Sequence, residues 1–235
     1  MFRLHPLMLA VGAVLSSSVL AAEALQLDAM EIQADALGRS AHQMATAVTE
    51  LNEETLLNRR ASTVGEMIDG LPGVRSSSFG PGVGRPVIRG MEGPRAKVLN
   101  DGSELMDASS ISPDHAVSVD AGSIERIEIL GGPAALLYGS GAMGGVVNVI
   151  DGRIPTYVPE KGYEGTVDLR ANSVADVGAG FMGITAGKGP VAVRVEGSKE
   201  RAKPYRIPGS GHKQENSFNH TDNYSLGTSL ILDSG

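Results

Sequence analysis

The sequence predicts an α+β domain, with a mixed sheet and short helices, followed by antiparallel transmembrane β-barrel strands that form an incomplete barrel. One observation is the stretch from Ile124 to Ile150, where a strand of alternating isoleucine and charged residues leads through a helical turn to a valine-rich strand. The other is a period-two alternation of apolar and polar residues from Gly165 onward. Such strands have one face in an apolar medium and the other in water.

Composition narrows the classes of function. The 235 residues are 41% hydrophobic, enough for a sizeable core, and carry a formal net charge of −7. That charge argues against a nucleic-acid partner, which would need clustered Lys and Arg, and suits a cation or a basic partner. The chain has no cysteine, which excludes disulfides, Cys-ligated zinc and thiol catalysis.

The first residues have the features of a secretory signal peptide, which we assign to residues 1–22. Arg3 and His5 precede an apolar run from Leu7 to Leu15, and small residues follow. The run is too short for a membrane anchor, which needs about 18 to 20 apolar residues. The sequence therefore predicts export.

Residues 23–40 are predicted to form a leader. Its alternating segment, Leu25 to Ala34, suits the addition of a strand to the sheet edge of another protein, because backbone hydrogen bonds then provide the affinity. The alternative is a tether that makes no specific contact.

Local signals between residues 63 and 102 predict a helix, a loop and a hairpin. Thr63 and Glu66 form a capping box, and the helix that they begin is predicted to end at Pro72-Gly73. The Ser- and Gly-rich stretch from Ser76 to Gly84 is predicted to be a loop. Asp101-Gly102 follows an apolar strand and indicates a hairpin turn.

Two matches to G-x-G-x-x-G, beginning at Gly139 and Gly178, raise the question of nucleotide binding. In a dinucleotide-binding unit the glycines follow a strand and open a helix. Here the first match precedes a strand and the second lies within one, so nucleotide binding is disfavoured.

Paired catalytic carboxylates, a Ser-His-Asp set and a phosphate-binding lysine loop are not convincingly present either, and we predict no enzymatic activity. Within the same region, Pro133 suits a first helical position and Gly139 a left-handed helix end.

The alternating segments predict about four barrel strands. Ser173 to Asp176 and Gly187 to Pro190 are predicted as turns, and Glu200 to Asn223 as a long outer loop. Phe181 and Met182 are adjacent apolar residues that interrupt the alternation, so a β-bulge is expected there.

About four strands leave two unpaired sheet edges, and open edges are not tolerated in hydrocarbon. We therefore expect that residues 1–235 are a truncated form and make no functional pore alone. Single-channel conductance or uptake by this segment would contradict that expectation.

Asp114 and His115 form the most distinctive polar pair in the sequence. An adjacent carboxylate and imidazole can offer an oxygen and a nitrogen to one cation, and neutral histidine is a good zinc ligand. Neighbours on a regular strand point to opposite faces, so the pair needs an irregular backbone, for which Pro113 is suitable. The alternative is an exposed Asp and His in a turn.

The stretch from Ile124 to Ile150 closely resembles the plug-domain signature of TonB-dependent receptors, in which an isoleucine-glutamate strand leads through Gly-Pro and Leu-Tyr-Gly to Gly-Gly-Val-x-Asn. Leu71 to Val74 resembles the Leu-Pro-Gly-Val element of the same plugs. One departure is Gly131, where family plugs usually carry a basic residue that pairs with the barrel wall. The residues that match the signature are Arg89, Gly90, Asp101, Gly102, Glu125, Glu128, Gly132, Pro133, Tyr138, Gly139, Gly144, Gly145 and Asn148.

This resemblance implies a receptor of the bacterial outer membrane, with an α+β plug domain at residues 41–155 and the first barrel strands at residues 156–235. Its implied partners are the TonB protein with its inner-membrane complex and the outer-membrane lipid, with no nucleic acid. The leader would contain the TonB box, for which the candidate residues are Asp28, Ala29, Met30, Glu31, Ile32 and Gln33.

The run from Ser112 to Asp120 resembles the zinc-uptake branch of these receptors, which implies that Asp114 and His115 are metal ligands and that zinc is transported, with no resident cofactor. Further ligands would come from barrel loops. Receptors for a siderophore, haem or cobalamin are the nearest alternative, and a periplasmic plug-like binding module is an alternative of another class. Weaker metal candidates are His212, Glu215, His220 and Asp222.

Overall fold

The computed structural model describes residues 48–232, apart from 133, 134, 136, 137, 140 and 174. The predicted signal peptide, the leader with its TonB-box candidate from Asp28 to Gln33, and Pro133 lie outside these residues. Within the described ranges, no helix has both the length and the apolar character needed to cross a membrane.

Residues 48–151 form the predicted α+β domain, called the plug below. Its main sheet has the strand order β1-β6-β7-β4-β5 and is mixed, because β4 and β7 pair in parallel and the other neighbours are antiparallel. The elements are β1 Val48–Leu51, α1 Glu53–Leu57, α2 Val64–Ile68, β2 Val74–Gly80, β3 Val83–Ile88, β4 Ala96–Asn100, β5 Ser103–Glu104, β6 Ile124–Leu130 and β7 Gly145–Asp151.

The predicted capping box begins α2. Thr63 Oγ1 accepts a hydrogen bond from the Glu66 N–H, and the Glu66 carboxylate accepts one from the Thr63 N–H, each at 3.2 Å. The helix ends at Ile68, earlier than the predicted Pro72-Gly73. Its apolar face is buried in the main core, where Met67 and Ile68 pack against strands of the sheet.

The loop predicted from Ser76 to Gly84 is wrong, because this segment forms the β2–β3 hairpin. Val74 pairs with Ile88 and Ser77 with Arg85. Asp69 Oδ1 accepts a hydrogen bond from the Ser76 N–H at 3.0 Å, so the residue after α2 aligns the start of the hairpin. Packing against α2 stabilises a strand whose serine and glycine content disfavours it locally.

β1 lies at the edge of the described sheet and places Glu50 directly opposite the buried Glu128 of β6. Burial raises the pKa of the Glu50 carboxyl, the attraction of Arg126 opposes this, and Glu128 raises it further. A carboxyl with a raised pKa favours its protonated form in the folded state. The stability that protonated Glu50 contributes to the folded state is therefore fully present below the ordinary carboxyl pKa of about 4.3. It is lost as the pH rises through the raised pKa.

We expect Glu50→Gln to stabilise β1 near pH 7, because the amide removes one of two facing like charges. Hydrogen exchange of the β1 amides should slow by about two- to fivefold at pH 7, and by much less at pH 4. Equal effects at both pH values would show that charge is not the cause.

Four antiparallel strands in sequential order follow the plug and form part of a barrel. The predicted alternation is confirmed: Val167, Met182 and Leu226 are exposed on the outer face, whereas Thr185 and Glu196 are buried on the inner face. This exposed apolar face fits a barrel wall in lipid. The strands are β8 Tyr163–Asn172, β9 Val177–Lys188, β10 Val191–Ala202 and β11 Asn219–Leu230.

Two details of the predicted wall are corrected. β9 has no bulge at Phe181 and Met182, since its pairing with β8 and β10 is continuous. The buried Phe181 ring faces inward and packs against the plug. It lies so close to Gly122 that a Cβ added to this glycine would clash with the ring. The long connection covers residues 203–218 rather than Glu200 to Asn223, because β10 and β11 extend further by pairing with each other.

Candidate functional site

The metal-binding candidates Asp114 and His115 lie in an irregular loop at residues 107–118. His115 Nδ1 is 3.0 Å from Asp114 Oδ1, and both side chains are about half exposed, at 52% and 49%. A hydrogen bond from the Ser112 hydroxyl, followed by smaller contributions that include His115, lowers the pKa of the Asp114 carboxyl. The pair therefore presents an ionised carboxylate and an imidazole on one accessible surface.

A small cavity of about 80 Å³ lies beside this loop, between the plug and the inner face of the strands. Its plug side includes Ala116 and Asp120, and its strand side includes Ser198, Glu200 and Asn223. Its lining combines the carboxylates of Asp120 and Glu200 with the cationic side chains of Arg170 and Lys199, so the cavity is polar and of mixed charge.

The structure does not place the weaker metal candidates in one site with Asp114 and His115. His212 and Glu215 are exposed in the connection at residues 203–218. His220 and Asp222 lie on β11, where alternate side chains point to opposite faces, and they share the outer face with Leu226. Asp222 accepts a hydrogen bond from Arg201 at 2.5 Å. Among the described residues, no group of three or more His, Cys, Asp or Glu side chains could hold a metal ion.

Several signature residues of the plug form a buried polar bridge across the sheet. Asn148 Nδ2 donates to the fully buried Glu128 carboxylate at 3.0 Å, and Asn148 Oδ1 accepts from the Gly102 N–H at 2.8 Å. Glu128 also lies 3.2 Å from the Arg126 guanidinium. Asp101 and Gly102 both have positive φ, at 47° and 76°, which fits the predicted hairpin turn. The bridge thus joins β6, β7 and the β4–β5 turn.

The signature glycines allow close backbone approach. A Cβ on Gly144 would lie 2.9 Å from the Arg95 carbonyl oxygen and 3.0 Å from that of Ile88. Gly145 and Gly139 have φ of 151° and 102°. Tyr138 packs against the second apolar cluster of the plug. Close packing and backbone conformation therefore account for these glycines in the described residues.

Arg89 occupies the space next to Gly131. It follows β3 with φ of 52°, beside Gly90, and its Nη2 lies 3.3 Å from the position that a Cβ of Gly131 would take. Because residue 131 is a glycine and not a basic residue, there is room beside it for the guanidinium of Arg89, which comes from a different part of the plug.

Polar contacts hold the plug against the strands. Asp120 Oδ2 accepts a hydrogen bond from Ser198 Oγ at 2.7 Å, and Arg60 Nε lies 3.8 Å from Asp168 Oδ2. Glu125, another signature residue, has an oxygen 3.9 Å from Arg194. Sequence reasoning missed these contacts because the partners lie far apart in the chain and no local pattern marks them.

A family model described as the TonB-dependent Receptor Plug Domain matches residues 40–146. The chain is similar to the vitamin B12 transporter BtuB of Photobacterium profundum, with 29% identity over 209 residues that cover 86% of this chain and 34% of that protein. It is similar to the hemin receptor of Yersinia enterocolitica, with 31% identity over 157 residues that cover 63% and 23%. The solved ferric enterobactin receptor PfeA of Pseudomonas aeruginosa matches with a TM-score of 0.52 and 26% identity, covering 70% of this chain and 26% of that one.

The chain spans about a third of the length of the B12 transporter and less of the hemin receptor. The matched residues include both the mixed plug sheet and the antiparallel strands after it. The chain therefore contains a TonB-dependent receptor plug domain, and the strands that follow it have the arrangement of the barrel wall in these outer-membrane receptors.

Proposed function

We propose that the chain is part of a TonB-dependent receptor that imports a metal ion, most simply zinc, across the outer membrane. The observation that carries this proposal is the exposed Asp114–His115 pair, with 3.0 Å between Oδ1 and Nδ1, on a plug loop that borders the cavity at the strand wall. Carboxylate and imidazole together suit zinc, and ligands without thiolate suit exchange rather than permanent storage. Further ligands would come from outer loops of the receptor.

Import requires the plug to move relative to the strands. The contacts between them include the Asp120–Ser198 hydrogen bond and the Arg60–Asp168 and Glu125–Arg194 ion pairs, the latter two at 3.8 and 3.9 Å. Water can replace such polar contacts at small net cost, unlike a continuous apolar interface. In the proposed mechanism, the TonB protein binds the leader, and its inner-membrane complex supplies the energy that separates these contacts after zinc is captured outside.

We expect the double substitution Asp114→Ala/His115→Ala in the full-length receptor to weaken zinc binding at least about tenfold, because two ligands are lost. Isothermal titration calorimetry measures this directly. The matched control is His220→Ala/Asp222→Ala, which removes the same two residue types from the outer face of β11 and should leave the affinity within about twofold. Unchanged affinity in the first variant would remove the pair from the site.

A metal chelate is a second candidate cargo. It is favoured by the names of the relatives, which are receptors for vitamin B12, hemin and ferric enterobactin. The two candidates differ in what controls expression and in what the purified receptor binds. Induction by zinc starvation with zinc binding supports the first, whereas induction by iron starvation alone, with binding of a ferric chelate or haem, would replace it by the second.

A further inference from the structure

One carboxylate closes the loop that carries the candidate metal pair. Asp107 Oδ1 accepts hydrogen bonds from the Ser109 N–H at 3.0 Å and from the Ser109 hydroxyl at 2.5 Å. Its other oxygen, Oδ2, accepts from the Ser118 N–H at 2.8 Å. The two ends of the loop are thus bonded to a single side chain, although Ser118 lies eleven residues after Asp107.

The first end of this loop is also fixed to the body of the plug. The buried Arg85 guanidinium donates from Nη1 to the Ser109 carbonyl oxygen at 2.7 Å. Gly93 approaches the same segment so closely that a Cβ there would lie 3.0 Å from the Ser110 carbonyl oxygen. By contrast, Asp107 provides the bond that joins Ser118, at the far end, to this fixed segment.

We infer that Asp107 is a positioning residue for the metal pair: its carboxylate fixes the loop in the conformation that places Asp114 and His115 together. This inference rests on the zinc proposal for the identity of the cargo. A closed loop loses less conformational entropy when its tip binds a ligand, because the ordering has already occurred on folding. Metal sites generally depend on such supporting groups, whose removal costs about 10- to 100-fold in affinity.

The chemistry of the carboxylate explains why aspartate suits this position. Both of its oxygens accept hydrogen bonds, and Asp107 uses one for each end of the loop. An asparagine at this position has a single acceptor oxygen, and its NH₂ group would face an N–H donor. An asparagine therefore keeps only one of the two backbone hydrogen bonds that Asp107 accepts, from Ser109 or from Ser118.

The test compares Asp107→Ala and Asp107→Asn with the wild type in the full-length receptor. We expect about tenfold weaker zinc binding for the alanine variant and an intermediate loss for the asparagine variant. Cobalt(II) in place of zinc should show altered visible absorption bands in both variants, because the ligand geometry changes. Hydrogen exchange within residues 108–118 should be faster, while the melting temperature of the receptor stays unchanged. Glu104→Gln, which removes a charge from the neighbouring β5, is the matched control and should behave as wild type.

These measurements distinguish failure of the positioning role of Asp107 from failure of the zinc proposal. If Asp114→Ala/His115→Ala weakens zinc binding but Asp107→Ala leaves affinity, cobalt spectrum and exchange unchanged, the positioning role is wrong and the zinc site stands. If the wild type binds no zinc, the zinc proposal is wrong, and exchange within residues 108–118 alone decides whether Asp107 fixes the loop. Exchange that is as slow in Asp107→Ala as in the wild type overturns the inference in either case.

Discussion

Substitution of Gly227 by alanine is expected to displace the segment that joins the plug to the first barrel strand. Gly227 is buried on the inner face of β11, and a Cβ there would collide with the Arg153 carbonyl oxygen and lie 2.8 Å from the carbonyl carbon. Both groups are backbone and cannot turn aside. Arg153 is itself held by Asp151, whose carboxylate accepts from the Arg153 N–H at 3.1 Å and from Nε at 2.7 Å.

Overpacking of this kind costs about 1–3 kcal/mol. Hydrogen exchange of the amides in residues 151–154 should accordingly become roughly 5- to 150-fold faster in the full-length receptor. Gly178→Ala in β9 is the matched control, because a Cβ at Gly178 would have no neighbour within 4 Å. Equal exchange in the two variants would show that β11 does not press on this segment.

The second large effect is expected for Asn148→Ala, which removes the centre of the buried bridge. The substitution deprives the Glu128 carboxylate of a donor and the Gly102 N–H of its acceptor, both inside the plug. Unsatisfied buried polar groups cost about 1–3 kcal/mol each, and more when charged. We expect the free energy of opening of β7 to fall by about 3 kcal/mol, which corresponds to roughly 100-fold faster exchange of its amides.

Asn100→Ala is the control for this substitution. Asn100 lies on the adjacent β4, and within the part of the chain that the structure describes its amide makes one long contact, of 3.4 Å, with Asp101. Its replacement should change β7 exchange by less than about threefold. If Asn148→Ala had as little effect as Asn100→Ala, the bridge would contribute nothing to plug stability.

Local signals in the sequence were sufficient for some elements. Thr63 and Glu66 form the predicted capping box, and Asp101-Gly102 forms the predicted turn, because each depends on residues close together in the chain. The period-two alternation likewise predicted which side chains face outward. Phe181 was misinterpreted because apolar character alone does not distinguish lipid from the surface of the plug.

Features that depend on distant residues could not be predicted. The β2–β3 hairpin needs its contact with α2, and the Asp120–Ser198 hydrogen bond joins residues 78 positions apart. The candidate pair itself was visible in the sequence because Asp114 and His115 are neighbours. The role of Asp107 was not, since Ser118 meets it only after the loop has folded.

The position of β1 at the edge of the described sheet has a mechanical consequence. The strand has four residues, pairs with β6 within the described part of the plug, and directly follows the chain segment that contains the leader. A force applied to Val48 along the strand would load all its ladder bonds at once, in shear. The same force applied across the strand would open them one at a time, as a zipper. With Glu50 facing Glu128, β1 is the strand that we expect to yield first, at a load that depends on the direction of pull.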